Sequence, residues 1–242
     1  MQAPKEELRI IFQRETITSQ EIFSILIKVL ESTGTTFNFN LDKKSISLNE
    51  ATRVISKNMF SFTPISSNGL SFSFSQVFNQ EICTLSIKEI DTTATNWDCW
   101  VTPFLKYKSF IQAWISNIEY DFWQNTKDPI IYELENKPYK HLPMKSNGLP
   151  FPLEQLEIDI SNNPARWEFR EDYVEAIGPQ MWFSQLFLNK FGDKIKNSLR
   201  NNSNIEIKDL DFNNIRLRLK GITIFNESNI DQQILLRKAL YS

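Results

Sequence analysis

The chain has 242 residues, with 27 Lys and Arg against 29 Asp and Glu, one His, a net charge of -2 and a pI near 5.6. That length allows one large domain or two small ones with a substantial core, and 19 Phe with 6 Trp argue against a disordered tail. The acidic balance excludes an overall pull toward nucleic acid or an anionic membrane, and six Gly, about a third of ordinary usage, leave little material for Gly-rich phosphate loops.

Met1 to Glu7 lacks an apolar h-region, and no run approaches the roughly 18 apolar residues of a membrane span, so a cytoplasmic location is the expectation. Leu8 to Phe12 reads as a short strand. Thr18-Ser19-Gln20-Glu21 has the spacing of a capping box, which predicts a helix whose stripe is Ile22, Phe23, Leu26, Ile27 and Leu30 and whose stop is Gly34. A shorter helix is expected over Asn49 to Lys57. Between Phe60 and Ile90 the period changes to two, giving strands at Leu70–Ser75 and Ile82–Ile87 joined by a hairpin loop at Gln76–Gln80. Helical spacing returns from Lys106 to Gln124, with Phe110, Ile111, Trp114, Ile115, Ile118 and Phe122 on one face.

Asn136 to Pro152 holds four of the ten prolines and the histidine, which marks a boundary or a long surface connection. The split lies near residue 140, with an N-terminal α+β half over 1–140 and a C-terminal α+β half over 141–242 that can pack together as one domain. Ser67-Asn68-Gly69-Leu70-Ser71-Phe72 recurs as Ser146-Asn147-Gly148-Leu149-Pro150-Phe151. It is readable as two similar Asn-Gly turns or as the trace of two similar halves. Short strands are then expected at Leu156–Ile160, Arg166–Phe169 and Tyr173–Ile177, the last punctuated by Gly178-Pro179. A helix follows over Phe183–Phe191, a strand over Ile215–Lys220 with Ile222–Phe225 as its partner, and a closing helix over Ile230–Leu240. Strands and helices without regular βαβ alternation indicate an α+β fold with mixed or mainly antiparallel sheets and packed helices.

Chemistry is sparse. His141 cannot alone supply a multi-histidine metal site, and no Ser-His-Asp, Cys-His, Walker A or His-Glu-x-x-His pattern accompanies it. Cys83 and Cys99 are too few for a disulfide framework or a self-contained zinc site and are read as reduced. No cofactor is implied. Glu206-Ile207-Lys208, with Asp193 upstream, fits the Asp/Glu-x-Lys pattern of metal-dependent nucleases, but so do Asp42-Lys43-Lys44 and Glu135-Asn136-Lys137, and roughly two such matches arise by chance.

Asn163 to Phe183 packs aromatics, arginines and carboxylates more densely than any other stretch. From Glu154 to Glu175 seven acids face Arg166 and Arg170, a net of -5, whereas Lys190 to Lys220 carries eight bases and four acids, a net of +4. Adjacent segments of opposite sign are readable as internally paired, solvated faces or as an acidic docking surface for a basic protein. On the docking reading, Glu168, Glu171, Asp172 and Glu175 supply complementarity, and Trp167 and Tyr173 are the aromatic anchors.

The run Asn163-Pro164, Arg166, Arg170, Tyr173-Val174-Glu175-Ala176-Ile177-Gly178 and Met181-Trp182 resembles a region of the immunity proteins of bacterial polymorphic toxin systems. The likeness covers about twenty residues, and elsewhere rests on length, α+β pattern and a prominent tryptophan. It implies a cytoplasmic protein that binds and neutralises a cognate toxin, often a nuclease, without chemistry, nucleic-acid contact or membrane contact of its own. A metal-dependent nuclease or other hydrolase and a non-catalytic adaptor are the competing classes.

Overall fold

A computed structural model describes residues 4–34, 36–91, 95–200 and 202–241, and for residues 193–196 the backbone alone. β1 (Glu6–Gln13) leads to α1 (Ser19–Ser32), which opens with the expected capping box: Glu21 N–H donates to Thr18 Oγ1 at 3.2 Å and Thr18 N–H to Glu21 Oε2 at 2.8 Å. Gly34, at φ 69°, ends the helical stretch as a left-handed cap. A two-strand ribbon, β2 (Phe39–Leu41) and β3 (Lys44–Ile46), precedes α2 (Leu48–Ile55). A second capping box, Ser47 with Glu50, starts that helix one residue earlier than its apolar pattern suggests.

β4 (Phe62–Ser67), β5 (Leu70–Gln76) and β6 (Ile82–Glu89) form an antiparallel meander in the stretch where the period is two. Then come α3 (Trp97–Val101), β7 (Phe110–Asn117), α4 (Ile118–Asn125) and α5 (Pro129–Leu134). β8 (Met144–Ser146) and β9 (Leu156–Ile158) make a separate hairpin, and β10 (Glu168–Phe169) pairs with β11 (Val174–Glu175). β12 (Gln180–Phe183), α6 (Gln185–Arg200), β13 (Ile205–Asp209), β14 (Ile215–Leu219) and α7 (Ile230–Tyr241) complete the chain.

The main sheet has ten strands in the order β13-β14-β12-β7-β1-β6-β5-β4-β2-β3, with antiparallel ladders throughout. The fold is therefore α+β. Strands from residues 1–140 and from residues 141–242 share this sheet, joined where β12 pairs with β7. Leu8, Ile10 and Phe12 of β1 point to one core with α1, α2 and α3, while Ile11 faces a second core with Trp114, Met181, Phe183, Phe187 and Leu236. The two cores sandwich the sheet, as the period-two alternation of β1 requires.

β7 corrects the helix expected over Lys106–Gln124. All eight of its residues are buried, because helices and loops cover both faces of this central strand. A strand buried on both sides has no polar face, and its apolar residues fell by coincidence on a helical stripe; only from Ile118 is the chain helical. A bulge adds to the confusion: Ile11 pairs with Gln112 and Phe12 with Phe110, leaving Ile111 as the extra residue.

Other expectations shift for related reasons. The helix expected from Phe183 begins at Gln185, since Phe183 belongs to β12, and it runs to Arg200 through a break at Gly192. Arg166–Phe169 and Tyr173–Ile177 contribute two paired residues each. Ile222–Phe225 is not a strand, although Phe225 is buried in the second core. The recurrent hexapeptide makes two different turns. Asn68 (φ 49°) and Gly69 (φ 74°) close a tight hairpin, whereas Asn147 and Gly148 open a long loop.

Gly178 is required by close approach: a Cβ there would lie 2.3 Å from the Ile115 carbonyl oxygen and 3.2 Å from the Ile115 nitrogen. Both are backbone atoms of the central strand and cannot yield easily. Gly178→Ala is expected to destabilise the fold by at least about 2 kcal/mol in urea unfolding; a loss below about 0.5 kcal/mol would show that β12 can dock without this contact.

Candidate functional site

The Asn163–Phe183 segment is a strap laid across the second core, tied down at points that its own sequence does not reveal. Asn163 Nδ2 donates to the Gln124 carbonyl at 2.9 Å, and the Ala165 amide donates to Gln124 Oε1 at 3.2 Å. Arg237 of α7 donates from Nε to the Pro164 carbonyl at 2.7 Å and from Nη2 to the Arg166 carbonyl. The Trp167 amide donates to Asn125 Oδ1 at 2.8 Å. Further along, Gln112 from β7 grips both backbone groups of Val174, donating to its carbonyl at 2.8 Å and accepting from its amide at 3.2 Å. The Tyr241 hydroxyl donates to the Ala176 carbonyl at 2.7 Å.

These ties divide the six candidate contact residues. Trp167 is half-buried: its ring stacks under the Arg9 guanidinium at 4.9 Å and its Nε1–H donates to Asp121 Oδ2 at 3.3 Å. Tyr173 is likewise half-buried, edge-on to Phe187 and Phe191. Both aromatics have internal structural partners. Glu175, with 16% of its side chain accessible, accepts from Arg170 Nε at 2.9 Å, and Arg170 Nη1 reaches Glu168 at 3.0 Å. Asp172 pairs with Lys190. The acidic and basic segments thus meet directly at this pair, while Arg216 and Arg218 of the basic segment turn to Asp98 of α3 at 2.6 and 2.8 Å. Glu168 and Glu171 are exposed, and among the described residues Glu171 has no ion pair.

The exposed carboxylates have an aromatic neighbour that sequence reasoning passed over. The Glu81 amide donates to the Glu171 carbonyl at 2.6 Å, joining the β5–β6 loop to the strap, and Phe78 in that loop is 87% exposed. Phe78 lies in the hairpin loop expected at Gln76–Gln80, and the period-two pattern of the flanking strands says nothing of what that loop abuts.

Beside Trp167 lies a cavity of about 480 Å³ whose floor holds Glu7, Arg9 and Asp121. Arg9 grips Glu7 with two 3.0 Å bonds and reaches Asp121 at 3.4 Å. Burial opposes ionisation of Glu7, yet Arg9, Lys88 and the Ser86 hydroxyl outweigh it and hold the carboxyl below the usual range. Burial pushes Asp121 up to about 6, since its bonds from Arg9 and Trp167 are long and Glu7 is a like charge. The signal for this cluster was the alternation Glu7, Arg9 opposite Leu8, Ile10; Asp121 was hidden by the helix read through β7.

The remaining chemical candidates stay apart. His141 is exposed, and Cys83 and Cys99 are unpaired, with burial pushing the Cys83 thiol up to about 12. Glu206 and Lys208 are exposed on the edge strand β13, opposite Arg218 and Arg216; the side chain of Asp193 lies outside the described residues. Among the described residues no three His, Cys, Asp or Glu side chains gather to hold a metal ion, and no helix is long and apolar enough to cross a membrane. No family model, curated protein or solved structure matches the chain.

The raised Asp121 value has a defined consequence for stability. In the unfolded chain this carboxyl titrates at about 3.9, so its stabilising contribution is complete below about pH 4 and is lost as pH rises through about 6. Between pH 4 and 7 the native chain is expected to lose on the order of 2–3 kcal/mol relative to Asp121→Asn in urea unfolding. Parallel profiles for the two proteins would contradict this assignment.

Proposed function

We propose that this chain is a cytoplasmic immunity protein that binds and neutralises a cognate interbacterial toxin and performs no chemistry itself. The observation that carries the reading is the construction of the strap. Its inner side is pinned by Gln112, Asn125, Arg237 and Tyr241, which leaves the exposed Glu168 and Glu171 carboxylates on an anchored backbone with the exposed Phe169 ring between them in sequence, joined at Glu171 to the loop that carries Phe78. A rigid acidic patch with an aromatic at its edge suits recognition of a basic protein, because little ordering entropy is lost on binding. The resemblance of Asn163–Trp182 to immunity proteins supports the same conclusion.

The toxin class that fits best is a nuclease. Enzymes that grip phosphate backbones present Lys and Arg, and a fixed row of carboxylates competes for those side chains. Asp172 and Glu175 contribute to the acidic field from the flank, each already holding an internal cation. Trp167 and Tyr173 support the patch from beneath.

Co-expression with a secreted toxin encoded immediately upstream of this gene tests the reading, and the absence of such a neighbour counts against it: the native chain is expected to restore growth and to bind the purified toxin. The double variant Glu168→Lys, Glu171→Lys is expected to slow association about tenfold or more at low salt, with a smaller difference at high salt and an unchanged melting temperature. A native chain that neither rescues growth nor binds would sink the proposal.

A further inference from the structure

The hairpin of β8 and β9 stands apart from the main sheet on a small core of its own, formed by Tyr132, Ile158 and Ile160 with Trp123, Tyr139 and Leu142 packed against it. Its connecting loop carries Leu149, Phe151 and Leu153 at 51%, 90% and 60% exposure, followed by Leu156 at 64%. Four large apolar side chains in eight residues, all turned to water, are costly to leave uncovered and mark an interaction site.

The loop backbone is organised chiefly by the Asn147 side chain, with the Gly148 amide donating to Ser146 Oγ at 3.1 Å. Asn147 Oδ1 accepts from the amides of Leu149 at 3.1 Å and Gln155 at 3.2 Å, and its Nδ2 donates to the Leu153 carbonyl at 3.0 Å. The Asn147 amide also donates to the Gln155 carbonyl at 2.9 Å, and the Leu153 amide to the Pro150 carbonyl at 2.9 Å. The apolar side chains are therefore presented on a closed, preorganised tip, so little chain entropy remains to be lost when they are buried.

We infer that this tip is a second contact with the toxin, inserted into an apolar cleft on that protein whose rim is basic. This rests on the immunity reading and extends it from the acidic strap to a separate element. Phe151, at 90%, is the most exposed side chain of the tip, and a ring so far out of its own fold is buried most fully by a cleft on the partner. Charge decides between partners. From Ser146 to Leu156 the one charged residue is Glu154, which is exposed. A tip bound for an anionic bilayer would carry Lys or Arg beside its apolar residues. A carboxylate at that place, like the acidic strap, complements a basic protein rim.

The test is titration calorimetry with the full chain and the purified toxin encoded beside its gene. Phe151→Ser is expected to raise the dissociation constant about thirty-fold or more, Leu153→Ser by a smaller factor, and both variants are expected to melt with the native chain because the side chains are exposed. Phe212→Ser, which removes an exposed ring from the β13–β14 turn, is the control and should leave affinity within about twofold. Equal affinity of the native chain and Phe151→Ser overturns the inference while the immunity reading stands. Absence of binding by the native chain overturns that reading and the toxin contact with it. Phosphatidylcholine–phosphatidylglycerol vesicles and sedimentation of the chain alone provide the remaining arms. If Phe151→Ser abolishes vesicle binding or self-association while toxin affinity is untouched, the tip serves a membrane or a second copy, and the inference is wrong.

Discussion

The structure depends on the antiparallel ladder between β1 and β7, two neighbouring interior strands of the ten-stranded sheet. Glu6 to Phe12 pairs with Asn117 to Phe110, and everything from β6 to β3 lies on one side of this seam and everything from β12 to β13 on the other. Both strands are largely covered on both faces, so the polar side chains they bury need partners inside the protein, and most find one; Ser116 Oγ of β7 does not. That requirement is what builds the surface. Arg9 satisfies Glu7 and reaches Asp121 and the Trp167 ring; Gln112 holds Val174; Asn117 donates to the Phe225 carbonyl at 3.2 Å and caps α4 through the Tyr120 amide at 3.3 Å.

The strap is consequently two things at once. Its inward side completes the hydrogen bonding of the central strands and closes the second core with Trp167 and Tyr173, and its outward side exposes Glu168 and Glu171. Dense charge and aromatic content therefore did not identify a single role. Trp167 and Tyr173 turned inward because large rings are worth most where they are buried, while Glu168, although paired with Arg170, and Glu171 stayed exposed. Exposed apolar area comes from Phe169 within the strap, from Phe78 in the loop joined to it, and from the tip around Phe151.

Local signals were legible in the sequence where one interaction between near neighbours determines the structure. The Thr18–Glu21 capping box, the alternation of Leu70–Ser75 and Ile82–Ile87, and the stop at Gly34 each depend on residues a few positions apart. β7 was not legible, because a strand covered on both faces loses the polar alternation that identifies it. Gly178 looked like punctuation, and its reason, the approach to Ile115, is set by a strand more than sixty residues away in sequence. The recurrent Ser-Asn-Gly-Leu motif shows the same limit: identical turn chemistry closes a two-residue hairpin at Asn68-Gly69 and organises an extended loop at Asn147. Among the site residues, charge at Glu168 and Glu171 was readable while their exposure was not, and the Glu7–Arg9–Asp121 cluster needed the strand pairing to bring distant residues together.

The central claim is that the outer side of the strap, with Phe78, and the Phe151 tip form the surface that meets a toxin. Hydrogen–deuterium exchange of the full chain, with and without a toxin that it neutralises in co-expression, tests it most directly. The account predicts new protection confined to residues 76–81, 147–156 and 168–172, with the β1–β7 ladder equally protected in both states. Protection that instead maps to the groove of about 770 Å³ between α1 and α3, leaving those three segments unchanged, would contradict it.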